Sequence, residues 1–251
     1  MTQRPPTQVI AMHGWAGDSR GWEPFAAAAA PLGWQWLTPD RGYGVQPARA
    51  AAWDSSLGAG LESGLGAGAD SGAQEKPRRV VIAHSLGPHL LPDAVLAEAD
   101  AVVLLASFGR FLPDGREGRR LETALGGMRQ ALASEDAAAM LSQFLAEAAA
   151  PQALEQLPST ILDAPLSQRG RQQLLADLDL LASRRGLPEG LPPATPCLIV
   201  EAGADRIVVP EARALLRQER PEAQVLTYPE AGHCLLGTPL VRDVIAWIDA
   251  L

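Results

Sequence analysis

A chain of 251 residues that is 47% apolar and 20% charged can bury one large core, and no run of about 18 apolar residues offers a membrane span. Its net charge of -8, with no long basic run to offset it, excludes a general nucleic-acid binder. Two cysteines, Cys197 and Cys234, are too few for a disulfide framework, and no Cys/His cluster has metal-ligand spacing, so free thiols and no bound metal are expected.

Met1 to Pro6 is polar and Pro-rich, without the apolar centre of a secretory signal, which predicts a cytoplasmic protein. The first apolar run, Gln8 to Met12, reads as a buried strand and leads into His13-Gly14-Trp15; a helix is expected over Trp22 to Ala30 and a second strand over Trp34 to Thr38. Ser55 to Gln74 is rich in Gly, Ala and Ser and reads as a weak helix passing into a mobile surface loop. A third strand, Arg79 to Ala83, runs up to Ser85, and helical spacing follows from Leu86 to Glu98, before a fourth strand at Ala101 to Ala106. From Phe108 to Leu191 no convincing strand occurs, while Leu121 to Leu132, Asp136 to Ala149 and Ser167 to Ser183 show helical spacing. The rhythm then resumes with strands at Pro196 to Glu201 and Gln224 to Tyr228 and helices at Pro210 to Gln218 and Pro239 to Leu251. This alternation predicts an α/β fold, a mostly parallel sheet with helices on both faces. Residues 1–107 and 192–251 would form its core, and 108–191 a helical lid inserted over one end.

The corner "AHSLG", Ala83 to Gly87, sets a Ser between small residues where a strand gives way to helical spacing. Such a turn can lift a hydroxyl above a sheet edge as a nucleophile, although Ala83 stands where a first Gly is usual and a capping Ser would read the same way. Serine is a poor nucleophile until a His takes its proton, and that His needs an acid to fix its tautomer. Among the four histidines, His233 follows the last predicted strand, and Asp205 follows the one before it. With Ser85 they lie at carboxyl ends of strands, where open α/β sheets place their sites, in the order Ser, Asp, His. His84, next to the nucleophile, reads as a filler that shapes the site, and His89 as a helix-surface or core residue. Oxyanion donors are expected from the N–H of Leu86 and of Trp15, where Gly14 lets the backbone come close. The Trp15 ring would wall the acyl pocket, with Phe108, Phe111 and Phe144 as further walls.

In these motifs the chain resembles the α/β-hydrolase superfamily over essentially its whole length. The stretches "AMHGWAGDSRGWEPF", "AHSLG", "LLASFGRF" and "QFLAEAA" look most like the pimeloyl-acyl carrier protein methyl ester carboxylesterases of biotin synthesis. That resemblance implies a serine hydrolase that needs no cofactor and cleaves a methyl ester from a pimeloyl chain carried on acyl carrier protein. It assigns the nucleophile to Ser85, the acid to Asp205, the base to His233, the oxyanion donors to Trp15 and Leu86, and a substrate-channel aromatic to Phe144. It also implies that lid arginines engage the acidic carrier, for which Arg116, Arg119, Arg120 and Arg129, then Arg169 and Arg171, are candidates; a solvated helix face is the plainer reading. Two other functions fit the same residues: a general short-chain carboxylesterase or thioesterase, and a hydrolase-like protein that binds without catalysis, for which Ala83 is the motive.

Overall fold

The computed structural model describes residues 6–54 and 76–251, so the expectation for Ser55 to Gln74 lies outside the described residues. Six parallel strands, β1 (Thr7–Met12), β2 (Gln35–Leu37), β3 (Arg78–His84), β4 (Ala101–Leu105), β5 (Cys197–Ala202) and β6 (Gln224–Tyr228), form one sheet in the order β2-β1-β3-β4-β5-β6. The α/β architecture expected from the alternation is therefore present. Every residue of β1, β4 and β5 is buried, as continuous aliphatic runs require when both sheet faces are covered, whereas the edge strands β2 and β6 are only partly covered.

Helices α1 (Glu23–Ala29) and α7 (Leu240–Asp249) cover one face through Phe25, Leu240, Val244 and Ile248. On the other face lie α2 (Asp93–Ala97) and α6 (Pro210–Glu219), with Val95, Leu96 and Leu216 in the core. Between β4 and β5 the chain runs through α3 (Gly115–Leu132), α4 (Ala137–Ala149) and α5 (Gln168–Ser183). Leu121 and Leu125 on α3, and Leu174, Leu178 and Leu181 on α5, recur at helical spacing and are buried together. Ser167 starts α5 by accepting from the Gly170 N–H at 3.0 Å. Among the described residues no helix is long and apolar enough to cross a membrane.

One predicted element is corrected. The helix expected over Leu86 to Glu98 is broken into a 3-10 turn, Gly87–Leu90, and the short α2, with Leu91 and Pro92 extended at ψ 143° and 142°. The cause is local: the ring of Pro92 disfavours helical backbone at Leu91, while Pro88 sits in the first turn, where its missing N–H costs nothing.

The register levels the strand ends. Met12 lies opposite Ala83, and His84 opposite Leu105, so the loops after β1, β3 and β4 leave the same edge of the sheet. The three helices between β4 and β5 are tied to this edge by a buried polar junction. Asp177 on α5, 2% exposed, accepts from Arg41 Nε and Nη2 at 2.8 and 2.6 Å and from the Tyr43 hydroxyl at 2.6 Å. Arg41 in turn donates its backbone N–H to His13 Nε2 at 3.2 Å, which links α5 to the loop after β1. Replacing Asp177 by Ala would strand a guanidinium and a buried phenol, and is expected to lower the unfolding free energy by about 3 kcal/mol. Urea titration of Asp177→Ala measures this; a loss below about 1 kcal/mol would show that apolar packing alone holds the junction.

Candidate active site

β3 ends in a turn at which Ser85 has φ 55°, a left-handed conformation that costs a residue with a side chain roughly 1–2 kcal/mol. The neighbouring strand holds it there: the Ser85 N–H donates to the Leu105 carbonyl at 2.9 Å, and the Ser107 hydroxyl donates to the Ser85 carbonyl at 2.6 Å. Two close approaches require glycine. A Cβ on Gly14 would stand 2.8 Å from Ser85 Cβ, and one on Gly87 would stand 2.6 Å from the Met12 carbonyl oxygen. The same cradle accounts for Ala83, because its methyl lies 3.3 Å from where a Gly87 side chain would begin. With no side chain on Gly87, the methyl fits.

The loop after β5 carries Asp205. Its Oδ1 accepts from the N–H groups of Ile207 and Val208 at 2.7 and 3.0 Å, and its Oδ2 accepts from His233 Nδ1 at 2.9 Å. Both side chains are sealed, with exposures of 0% for Asp205 and 3% for His233. Burial alone would raise the Asp205 carboxyl, but His233 and the two N–H groups hold it below its ordinary value. Since a carboxylate only accepts, the bond to Asp205 places a proton on His233 Nδ1, so that in the neutral ring the lone pair is on Nε2.

His84 joins the serine turn to the histidine loop. Its Nε2–H donates to the His233 carbonyl at 2.9 Å, and the two rings lie 4.8 Å apart. Burial pushes His84 down to about 3, so it stays neutral and acts as a donor. Ser85, 5% exposed, directly follows this bridging residue, and among the described residues no hydrogen bond joins Ser85 Oγ to His233. Cys234, the next residue, donates its N–H to Ala148 at the end of α4, and burial pushes its thiol up to about 12, which makes it inert as a nucleophile.

Trp15 is pinned from outside the sheet. Its Nε1–H donates to the Leu174 carbonyl on α5 at 2.9 Å, and its ring meets Phe144 edge-on at 4.9 Å. Among the described residues, neither the Trp15 N–H nor the Leu86 N–H has an acceptor. A cavity of about 190 Å³ opens here, lined on one side by His13, Gly14, His84 and His233 and on the other by apolar side chains that include Trp15, Phe144 and Leu145. Ser85 and Leu86 are not in its lining, although Gly14 and His84, which border Ser85, are.

Two expected walls are corrected. Phe108 is fully buried and stacks on His89 at 5.4 Å, and Phe111 packs edge-on against Phe108, so neither reaches the cavity. The chain leaving β4 turns inward, and its aromatics fill the core under α3 and α5 instead. Of the arginines, Arg120 pairs with Glu117 and Arg129 Nε donates to Asp179 at 2.5 Å, while Arg171 donates to the carbonyls of Leu132 and Ser134. Arg116, Arg119 and Arg169 are exposed. The sequence held no sign of the Ser107 brace or of Arg20, which donates to Asp18, to Asp163 Oδ2 at 2.7 Å and to the Thr160 carbonyl at 2.9 Å. These partners are up to 143 residues away, and no local pattern announces them.

No curated protein matches the chain in sequence. Solved structures of similar shape include an esterase from Exiguobacterium antarcticum, 16% identical with a TM-score of 0.66, covering 98% of this chain and 92% of that one. An enol-lactonase from Burkholderia xenovorans is 14% identical, with a TM-score of 0.67 over 99% and 94% of the two chains. A thermophilic esterase from Thermogutta terrifontis is 18% identical, with a TM-score of 0.64 over 98% and 90%. At these identities the likeness is one of fold. Residues 9–242 match the model of the alpha/beta hydrolase family, and the chain belongs to that family.

Proposed function

We propose that this hydrolase is a serine carboxylesterase. The observation that carries the reading is His233, held through Nδ1 by a sealed Asp205 at 2.9 Å and bridged through its carbonyl to His84, the residue before a serine kept in a left-handed turn at φ 55°. In the reaction, His233 Nε2 takes the Ser85 Oγ proton as Oγ attacks the ester carbonyl. The oxyanion is met by the N–H groups of Trp15 and Leu86. The imidazolium then returns the proton to the departing alkoxide, leaving an acyl-serine that water cleaves by the same two steps. This requires a Ser85–His233 hydrogen bond to form as substrate binds, as catalytic hydrogen bonds often do only in the substrate complex. Because a short 3-10 turn replaces a long helix after the elbow, little helix dipole assists, and the two N–H groups carry the oxyanion.

The substrate proposed from the sequence resemblance is the methyl ester of a pimeloyl chain on acyl carrier protein, with methanol released. The mainly apolar cavity and the exposed Arg116 and Arg119 support it. A second reading, a general short-chain carboxylesterase, is favoured by the cavity volume of about 190 Å³, which takes a short acyl chain without a carrier. Mass spectrometry of methyl pimeloyl carrier protein after incubation separates the two. Demethylation by the unsubstituted chain, reduced about 10⁴-fold or more in Ser85→Ala, supports the first. Hydrolysis of free aryl esters alone, equally dependent on Ser85, supports the second, and activity retained by Ser85→Ala rejects both.

The buried histidines predict acid lability. Burial pushes His84 down to about 3 and His89 to about 4, and lowers His13, all from 6.5. Below pH 6.5 the unfolded chain takes up protons that the folded chain refuses, so stability is complete above 6.5 and declines as the pH falls toward 3. The melting temperature should drop through this window, more gently in His84→Gln; a profile flat down to pH 4 would contradict neutral burial.

A further inference from the structure

Three histidines stand on the polar wall of the cavity, and their ring nitrogens are not equally occupied. His13 donates from Nδ1 to the Gly14 carbonyl at 2.8 Å and accepts the Arg41 N–H on Nε2 at 3.2 Å. His233 gives Nδ1 to Asp205, and its Nε2 is the proposed base. His84 gives Nε2–H to the His233 carbonyl at 2.9 Å, which leaves the lone pair of the neutral ring on Nδ1. That nitrogen has no partner among the described residues. It is also open: the His84 ring is half-buried in the cavity wall, and its Nδ1, in contrast to the unpaired Nδ1 of His89, is not sealed.

Gly14 fixes where this lone pair stands. The point at which a Gly14 side chain would begin lies 3.3 Å from His84 Nδ1 and 2.8 Å from Ser85 Cβ, and the His233 ring lies 4.8 Å from that of His84. A nucleophile, a base and a spare acceptor therefore meet at one corner. An atom that only accepts must be met by a donor. In the second half of the proposed reaction a water oxygen bonds to the acyl carbon while one of its hydrogens passes to His233 Nε2. The acyl–Oγ bond then breaks as that proton moves on to Ser85, and the other hydrogen stays on the oxygen as the hydroxyl of the acid product. Water is held in a largely apolar cavity only where several polar groups meet it, so the retained hydrogen needs an acceptor too. An alcohol has no second hydrogen to offer. We propose that His84 Nδ1 accepts the retained hydrogen of the attacking water, and so makes the acyl-serine select water over an alcohol.

The proposal rests on the esterase reading, and its test keeps the two apart. With p-nitrophenyl butyrate in buffer containing methanol, initial release of p-nitrophenol reports turnover, and gas chromatography of methyl butyrate and butyrate reports which nucleophile takes the acyl group. His84→Gln carries its amide at the position of Nε2, which keeps the bond to the His233 carbonyl and removes the Nδ1 acceptor. His84→Asn carries its amide at the position of Nδ1, which keeps the acceptor and removes the bond. The ratio of methyl butyrate to butyrate is expected to rise about fivefold in His84→Gln, the worth of one hydrogen bond, and to change less than about twofold in His84→Asn, whatever their rates. A ratio unchanged in His84→Gln, or raised equally in both, would overturn the proposal and leave the esterase. The unsubstituted chain keeps the test open should His84→Gln fail to fold. O-Methylhydroxylamine, which retains an N–H after giving one up, should capture the acyl group about fivefold better than N,O-dimethylhydroxylamine, relative to their uncatalysed reaction with the same ester. Equal capture overturns the proposal, and no release of p-nitrophenol overturns both readings.

Discussion

Two turns cross at the carboxyl edge of β1 and β3, and neither has room for a side chain at its closest point. Gly14 passes over Ser85, and Gly87 passes over the Met12 carbonyl. A parallel sheet places its strand ends side by side, so the turns after two neighbouring strands must share one small volume. That crowding has chemical value. It holds Ser85 in a conformation a side chain otherwise avoids, and it brings two N–H groups without acceptors, those of Trp15 and Leu86, close to the same serine.

Around this crossing the histidines divide by environment. Burial lowers the affinity of His13, half-buried His84 and His89 for a proton, so the three act as fixed hydrogen-bonding groups, His13 through both ring nitrogens. His233 is the one whose ring hydrogen-bonds a carboxylate, Asp205, at 2.9 Å, whereas His13 lies 3.9 Å from Asp40 without bonding it.

The helices between β4 and β5 complete the cavity because they are tied to the sheet edge at several distinct points. Trp15 reaches Leu174, Arg41 and Tyr43 reach Asp177, Arg20 reaches Asp163, and Cys234 reaches Ala148. Three of these ties use a charge or an indole N–H, and each originates in a loop that also borders the cavity or the loop after β1. The cavity wall and the sheet edge that carries Asp205 and His233 are thereby one mechanical unit.

Much of this was legible in the chain itself. Strand positions follow from short aliphatic runs, whose period does not depend on distant residues, and the order Ser85, Asp205, His233 follows from the turns after those runs. The helix after the elbow was misread because helical spacing of apolar residues outweighed Pro88 and Pro92, although the prolines carried the local instruction to stop. Phe108 and Phe111 were misplaced for a different reason: an aromatic at a strand end suits a cavity wall and a core equally, and only the packing of α3 and α5 above it selects the core. Sequence by itself therefore determined the element types and the chemistry present at each strand end, since both depend on neighbours along the chain. The pairing of Asp177 with Arg41, the bracing of Ser85 by Ser107 and the bridge from His84 to His233 were decided only by tertiary structure, because hydrogen bonds across more than twenty residues depend on where the sheet register sets each loop.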